Sequence, residues 1–192
     1  MITTPLATPE AIRRAKQYWE RRPVFIDTET TGTGSTAMIV EIGIVDSDGK
    51  TLLDSLVKPS GKIPADVIAV HGITDEMVVD APTWKTLWPQ VKEILAGRMI
   101  GTYNAEFDLR MMKQSHQRYW MDWDLDDRYF FCVMKLYAQF FGDYNSLRGG
   151  YRLHRLEAAG KLSGITLPNS HRAADDALLA GALLRYMAEY KK

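Results

Sequence analysis

The order of strand-like and helix-like segments is the feature that most limits what this chain can fold into. After a predicted N-terminal helix come three strand-like runs, and Asp48-Gly49, a dipeptide typical of tight hairpins, lies between the second run and the third. Helical and strand-like segments then alternate along the rest of the chain. A hairpin followed by such alternation predicts an α/β fold with a mixed sheet. The predicted strands are 24–28, 38–45, 51–57, 98–102 and 128–132, and the predicted helices are 9–20, 105–118, 134–141, 153–162 and 172–190, with shorter helices between 64 and 95.

Length and composition bound the number of domains and the kinds of site. With 192 residues, 46% of them hydrophobic, the chain can bury one sizeable core. We expect a helical extension over residues 1–22 and one domain over residues 23–192. The single cysteine, Cys132, excludes an intrachain disulfide framework and a cysteine-rich zinc site. Because no apolar run approaches bilayer-spanning length and the N-terminus lacks a signal peptide's apolar stretch, we expect a cytoplasmic protein with no membrane partner.

The charge balance argues against one class of nucleic-acid-binding protein. Lys plus Arg and Asp plus Glu both number 24, so the formal net charge is zero. Proteins that coat long nucleic acids usually carry a basic surplus, because phosphate neutralisation supplies most of their affinity. Neutrality remains compatible with an enzyme that grips a few nucleotides at a chain end, where bound metal ions would supply positive charge locally.

Two acids follow each other closely at the end of the first predicted strand. Asp27 and Glu29 are two residues apart, so the pleat directs both side chains to the same face. Ligand sites in open α/β sheets favour the carboxyl ends of strands. Thr31-Gly32 comes next, and a glycine there lets a substrate backbone approach closely. A polar strand end is the alternative interpretation of these acids.

A second acid begins the helix after the fourth predicted strand. Asn104 is suited to the N-cap of this helix, and Asp108 lies one turn further on. An acid in a first turn is also common for reasons of helix dipole alone. The helix follows a strand, however, so its N-terminus points to the same sheet edge as Asp27 and Glu29.

The last predicted helix carries a third element, HRAADD. Asp176 falls in register with Leu179, Leu183 and Met187 on the apolar stripe, whereas Asp175 falls toward water. A carboxylate on an apolar stripe is unfavourable unless it is paired or binds a metal. His171, which alone would more often be a cap or a surface residue, precedes this buried acid.

Four carboxylates at one point would repel each other and raise each other's pKa. Divalent cations remove that repulsion, and hard oxygen ligands suit Mg²⁺ or Mn²⁺. Two such ions, roughly 3.5–4 Å apart, stabilise the attacking and leaving oxygens of a phosphodiester displacement. A histidine, which titrates near neutrality, can accept the proton of the attacking water.

The three elements DTETTG, NAEFD and HRAADD, in this order and spacing, resemble the exonuclease motifs of the DEDDh branch of the DEDD superfamily. This is the family of the proofreading epsilon subunit of bacterial DNA polymerase III, ribonuclease T and oligoribonuclease. The resemblance extends from about Val24 to Met187. It implies a ribonuclease-H-like fold with a five-stranded mixed sheet flanked by helices. It also implies a 3′→5′ exonuclease that releases nucleoside 5′-monophosphates from the 3′ ends of DNA, at single strands or frayed ends.

The resemblance also implies the roles of individual residues. It makes Asp27, Glu29, Asp108 and Asp176 the ligands of two divalent metal ions, Mg²⁺ or Mn²⁺, and His171 the general base. The five-residue spacing from His171 to Asp176 distinguishes this branch from the one that uses a tyrosine.

A further segment, IPADVIAVHGITDEMV, resembles the part of epsilon-like proteins that places an acid and a histidine beside the 3′ nucleotide. By position these residues are Asp66 and His71, although epsilon-like proteins favour glutamate at the first position. Ordinary helix and turn chemistry is the alternative for both. The candidate substrate-binding residues are Thr31, Gly32, Asp66, His71, Asn104 and Phe107.

Several features allow more than one interpretation. The basic residues between 148 and 161 could guide a single strand, but a solvated helix face is favoured, and Trp84 and Trp88 are expected in the core rather than as a base-stacking platform. The resemblance fits an exoribonuclease of the same branch as well as a DNase. A non-catalytic subunit that keeps the fold, or a subunit that acts inside a polymerase or repair assembly, is a further possibility. Loss of one motif residue would favour a non-catalytic subunit, and all five motif positions are filled.

Helical register, together with the ligand roles that the resemblance implies, predicts opposite outcomes for two adjacent acids. Asp176→Asn should remove a metal ligand, weaken metal binding and nearly abolish exonuclease activity. Asp175→Asn should change little, beyond the small effect of losing an exposed first-turn acid. Metal titration and turnover of the two variants check this expectation. An inactive Asp175 variant beside an active Asp176 variant would contradict both the register and the motif assignment.

Overall fold

A five-stranded mixed sheet runs through the described residues, 4–147, 149–167 and 170–191, of this computed structural model. Its strands are β1 (Val24–Thr30), β2 (Ile39–Asp46), β3 (Thr51–Leu56), β4 (Ile100–Thr102) and β5 (Phe130–Cys132). They lie in the order β3-β2-β1-β4-β5. β1 pairs antiparallel with β2, and β2 with β3, whereas β4 runs parallel to both β1 and β5. The mixed sheet predicted from the sequence is therefore confirmed.

Helices cover both faces of this sheet. They are α1 (Pro9–Trp19), α2 (Ala65–His71), α3 (Asp75–Val78), α4 (Trp84–Leu95), α5 (Ala105–Arg118), α6 (Val133–Phe141), α7 (Leu156–Leu162) and α8 (Ala173–Ala188). Two very short strands, β6 (Tyr144–Asn145) and β7 (Gly150–Tyr151), form a separate hairpin. Among these described helices, none has the length and apolar character needed to cross a membrane.

The strands bury side chains on both faces, which explains why helices cover both. In β1, Val24 and Ile26 belong to an apolar cluster formed with α4 and α5, whereas Phe25 belongs to a cluster formed with α1, α6 and α8. This alternation follows from the two-residue repeat of a strand. Trp84 and Trp88 are buried in the first of these clusters, so their predicted place in the core is confirmed.

Three elements begin two or more residues later than predicted from the sequence. β4 begins at Ile100 rather than residue 98, after Gly97 with a φ of 70°. β5 begins at Phe130 rather than residue 128, because the Asp126 side chain accepts a hydrogen bond from the Arg128 backbone and closes a 3-10 turn. α7 begins at Leu156 rather than residue 153, since the chain first returns through the unpredicted β6–β7 hairpin.

The topology brings two strand ends and two helix starts to one edge of the sheet. β1 and β4 are parallel neighbours, so their carboxyl ends lie side by side, and α5 begins three residues after β4. α8 begins directly over β2, since a Cβ atom at Gly43 would lie 2.2 Å from the Ala174 backbone nitrogen. Only a glycine at this position of β2 permits so close an approach.

The N-terminal helix α1 packs into the same core as the rest of the chain. Ala11 and Ala15 are buried in the cluster with α6 and α8, and the Tyr18 ring stacks on Phe131 with centroids 4.1 Å apart. The segment before α1 is also bonded to α6, because the Thr8 hydroxyl donates to the Gln139 carbonyl at 3.0 Å.

This packing predicts that α1 contributes to the stability of the whole domain. Ala15→Lys should lower the free energy of unfolding by about 1–3 kcal/mol or more, because a long side chain must enter a filled core. Gln17→Lys adds the same side chain at an exposed position of the same helix and should change stability by less than about 0.5 kcal/mol. Chemical denaturation of both variants measures the difference. Equal stability of the two variants would contradict the packing of α1.

Candidate active site

A cavity of about 600 Å³ opens at the sheet edge where β1 and β4 end. The residues that line it are Asp27, Thr28, Glu29, Tyr103, Asn104, Phe107, Asp108, Met134, Leu153, His154, Arg155, Leu156, Glu157, His171 and Asp176. The structure thus brings together the acids of all three sequence elements and the histidine of the third. They come from β1, from the first turn of α5, and from the start of α8.

Strand β1 supplies two half-buried carboxylates on one face. Asp27 lies opposite Gly43 in the neighbouring strand, and Glu29 lies opposite Glu41. Side chains of paired antiparallel residues point to the same face. Because α8 begins over Gly43 on that face, both carboxylates are directed toward the start of α8.

Helix α5 supplies the third carboxylate from the other face of the sheet. Asp108 is 2% exposed, and its Oδ1 accepts a hydrogen bond of 2.9 Å from the Thr28 hydroxyl. Thr28 lies between Asp27 and Glu29 in β1, so its side chain points to the opposite face. This buried hydrogen bond fixes the start of α5 against β1 and holds Asp108 at the cavity.

Helix α8 supplies the fourth carboxylate and is preceded by the histidine. Asp176 is 6% exposed, whereas His171 is exposed and has a φ of 53°, a left-handed conformation that few non-glycine residues adopt. Glu29, His171 and Asp176 each offer one atom that could bind a metal ion, and these three atoms lie within 4.8 Å of one another. Asp176 is buried in the same stripe as Leu179, Leu183 and Met187, so the predicted register of α8 is confirmed.

Asp175 differs from Asp176 in its surroundings. It is half-buried, does not line the cavity, and accepts a hydrogen bond of 2.5 Å from the Ser170 hydroxyl. The surroundings of Asp175 and Asp176 therefore differ as their positions on the helix predict.

Burial and mutual repulsion raise the pKa values of the two acids in β1. Burial raises the pKa of Glu29 to about 8, and the charges of Asp176, Glu41 and Asp108 add to this effect. Burial also raises the pKa of Asp27 well above its ordinary value, and Asp108 is the neighbouring charge that adds most. Burial removes solvating water from these carboxylates, and neighbouring negative charges repel them, so both effects raise the pKa.

The pKa values of the acids on the two helices are raised less than that of Glu29, because local partners oppose the effect of burial. Burial raises the pKa of Asp108 to about 6, while the hydrogen bond from the Thr28 hydroxyl acts to lower it. Burial raises the pKa of Asp176 to about 6, against the lowering effect of His171.

The donor set suits hard divalent cations. Four carboxylates from three different elements surround one solvent-connected cavity, and the proximity of their charges disfavours the fully ionised, metal-free state. Mg²⁺ and Mn²⁺ prefer oxygen ligands of this kind. Asp27, Glu29, Asp108 and Asp176 could therefore hold divalent ions, and Glu29 and Asp176 already place ligand atoms within 4.8 Å of each other.

Only two of the six candidate substrate-binding residues line the cavity. Asn104 and Phe107 lie at the start of α5 and face it. Asn104 occupies the N-cap position as expected, but its side chain makes no capping hydrogen bond, and its backbone carbonyl accepts from the amides of Phe107 and Asp108 instead.

The other four candidates lie outside the cavity lining. The Thr31 hydroxyl accepts a hydrogen bond from the Met38 amide, and Gly32 has open space around its Cα. Asp66 is exposed in the first turn of α2. His71 is buried at the end of α2, where its Nδ1 accepts from the Ile73 amide and burial lowers its pKa.

Sequence reasoning did not assign two groups of residues to the site. The first is the cavity wall formed by residues 153–157, and in it lie His154 and Arg155 of the basic stretch, for which the sequence favours a solvated helix face. Of the other basic residues, Arg152 and Lys161 form ion pairs with Asp143 and Glu157, and residue 148 lies outside the described residues. The second is the pair of Glu41 and Arg172, joined across 131 positions of the chain. An acid inside the apolar run IVEIGIV was a signal for Glu41.

Comparison with known proteins places these observations in a family. The family model described as exonuclease (RNase_T) matches residues 24–184. The exonuclease CP81 of Escherichia phage 186 is 39% identical over 183 residues, which cover 92% of this chain and 93% of the phage protein. The epsilon subunit of DNA polymerase III from Treponema pallidum is 29% identical over 165 residues, or 84% of this chain and 74% of that subunit.

Solved structures show the same fold. Exonuclease X in complex with 5′-overhanging duplex DNA is 28% identical, with a TM-score of 0.60 over 85% of this chain and 90% of that one. The nuclease domain of 3′hExo, a DEDDh family member bound to rAMP, has a TM-score of 0.67 over 86% of this chain and 90% of that one, at 15% identity. The ribonuclease-H-like fold and the resemblance to DEDDh exonucleases are thereby confirmed. The chain belongs to the exonuclease family.

Proposed function

We propose that this protein is a metal-dependent 3′→5′ exonuclease that removes nucleoside 5′-monophosphates from the 3′ ends of DNA, acting on single strands or frayed ends. One observation carries the proposal. The acids of all three motifs and His171 converge on a single cavity, although they come from three elements far apart in the chain.

The four carboxylates have the role of metal ligands in this proposal. Asp27, Glu29, Asp108 and Asp176 would hold two divalent ions, Mg²⁺ or Mn²⁺. When bound, such ions stabilise negative charge on the attacking and leaving oxygens of a phosphodiester. The protein partly buries the carboxylates and fixes their directions through β1, α5 and α8, so little reorganisation is needed when substrate enters.

His171 has the role of general base. Its side chain is exposed at the mouth of the cavity, and one of its ring nitrogens lies within 4.8 Å of a carboxylate oxygen of both Glu29 and Asp176. An imidazole there can accept a proton from a water molecule directed at the scissile phosphate, and the adjacent carboxylates stabilise the resulting imidazolium.

The remaining wall of the cavity suits a nucleotide. Phe107, Met134, Leu153 and Leu156 present apolar surface beside the carboxylates, and Arg155 adds a positive charge. A nucleobase can stack on such surface whatever its identity. The zero net charge of the chain is consistent with a grip on few nucleotides.

DNA is the proposed substrate because exonuclease X, 28% identical to this chain, was solved with duplex DNA. An exoribonuclease is the second candidate, since the structure of 3′hExo contains rAMP. Association with a polymerase is a further proposal, supported by the similarity to an epsilon subunit.

The raised pKa of Glu29 predicts how stability depends on pH in the metal-free protein. Because the folded state binds this proton more tightly than the unfolded state, its contribution to stability is present at about pH 4 and is lost as the pH rises toward about 8. Glu29→Gln should therefore raise the free energy of unfolding at pH 8 by on the order of 1–3 kcal/mol, given about 1.4 kcal/mol per pKa unit, and by less at pH 5.

Chemical denaturation in EDTA at the two pH values measures this effect. Glu20→Gln, at an exposed position of α1's C-terminus, is the matched control and should show no such difference. Added Mg²⁺ should stabilise the wild type more than Glu29→Gln. A variant that is less stable than the wild type at pH 8 would contradict the proposed repulsion.

Nuclease assays on the isolated chain test the proposed function. Activity should disappear in EDTA and return with Mg²⁺ or Mn²⁺. Asp108→Ala should abolish turnover, whereas Asp80→Ala, at an exposed position outside the cavity, should not. His171→Ala should lose about 10²–10⁴-fold in turnover and still bind metal. Full activity in chelator would refute the metal mechanism.

Substrate comparison tests polarity and specificity in the same assay. End-labelled single-stranded DNA, duplex DNA and short RNA should be compared with a 3′-blocked strand and a circular strand. The blocked and circular substrates should resist digestion, and the products should be nucleoside 5′-monophosphates. Internal cuts in the circle would exclude an exonuclease, and faster digestion of RNA would favour the second candidate.

A further inference from the structure

Glu41 is a buried acid outside the cavity lining. It lies in the apolar strand β2 and is 0% exposed. Its Oε1 accepts hydrogen bonds from both Nε, at 2.9 Å, and Nη2 of Arg172, and its Oε2 accepts one of 2.9 Å from the backbone amide of Ala173. All three contacts are therefore made by two consecutive residues of one segment.

These hydrogen bonds join β2 to the start of α8. Ala173 is the first residue of that helix, and its amide is one of those that the helix itself leaves without an intrahelical acceptor. Gly43, two residues after Glu41, lets the backbone at Ala174 rest directly on β2. Glu41 and Gly43 thus define where α8 begins, one by hydrogen bonds and one by close contact.

His171 immediately precedes this fixed point. Its side chain is exposed, so neighbouring side chains do not enclose it, and its backbone has a φ of 53°. A non-glycine residue keeps such a conformation only when the surrounding structure enforces it. The hydrogen bonds from Arg172 and Ala173 to Glu41 attach the chain to the sheet immediately after His171.

We propose that Glu41 and Arg172 are positioning residues that hold His171 in its left-handed conformation, and thereby direct its imidazole at the attacking water. This inference rests on the proposed role of His171 as general base. Neither residue touches the reacting atoms in this scheme. Both act through the backbone of residues 171–173.

Burial of a carboxylate within β2 argues against a role in stability alone. Glu41 lies directly opposite Glu29 in the neighbouring strand, so two like charges are adjacent there. An apolar side chain would avoid both this repulsion and the desolvation of a carboxylate. By contrast, both side chains of the Arg185–Glu189 ion pair in α8 are exposed.

A double-mutant cycle with His171 tests the inference. Glu41→Gln keeps the shape of the side chain but cannot accept all three hydrogen bonds, and Arg172→Lys keeps the charge but loses the two-nitrogen contact. Each should lower kcat by about 10–100-fold with little change in KM, since small displacements of a catalytic group have effects of this size. In a His171→Ala background neither substitution should lower kcat further.

Matched controls and a second readout separate positioning from general damage. Glu189→Gln and Arg185→Lys make the same replacements in the exposed ion pair of α8 and should leave kcat unchanged. In metal-free protein, amide hydrogen exchange at Ala173 should be faster in Glu41→Gln than in the wild type. If Glu41→Gln does not fold, the cycle is completed with Arg172→Lys.

Two results would overturn the inference. One is an equal loss of kcat in the wild-type and His171→Ala backgrounds, and the other is unchanged kcat in both variants. A loss of less than tenfold in His171→Ala alone would instead refute the general base, while EDTA sensitivity and the Asp108→Ala result would still test the exonuclease proposal separately.

Discussion

Repulsion between carboxylates at one sheet edge is the constraint on which the rest of this structure depends. Four acids surround one cavity, and both burial and like charge raise the pKa of Asp27 and Glu29. Burial and like charge both disfavour such a cluster, so the remainder of the fold must hold it together. Apolar clusters on both sheet faces supply that stability, because α4 and α5 pack on one face and α1, α6 and α8 on the other.

The topology also supplies some electrostatic relief at the same edge. α5 and α8 both begin there, and helix N-termini carry partial positive charge from their unbonded amides. Asp108 and Asp176 lie in these first turns, and their pKa values are raised less than that of Glu29. The two acids in β1 have no helix start of their own, so the proposed metal ions would matter most for them.

Much of the fold and of the cavity could be predicted from sequence because the signals are local. A strand-like apolar run identified β1, the two-residue repeat of a strand placed Asp27 and Glu29 on one face, and helical register separated Asp176 from Asp175 on α8. The late start of α7 could not be predicted, since it depends on two-residue strands with no repeating pattern. The contact between Glu41 and Arg172 joins residues 131 positions apart, and no spacing rule indicates such a pair.

Glu41 and Asp27 are both acids within apolar strands, but their surroundings in the structure differ. Both lie in apolar strands on neighbouring positions of one sheet face. Glu41 is fully enclosed, and Arg172 with the Ala173 amide compensates its charge within the protein. Asp27 opens onto the cavity, where Asp108 and Asp176 add negative charge. An enclosed acid with an internal cation holds the chain in place, whereas an acid that faces other acids across a cavity is suited to a cation from solvent.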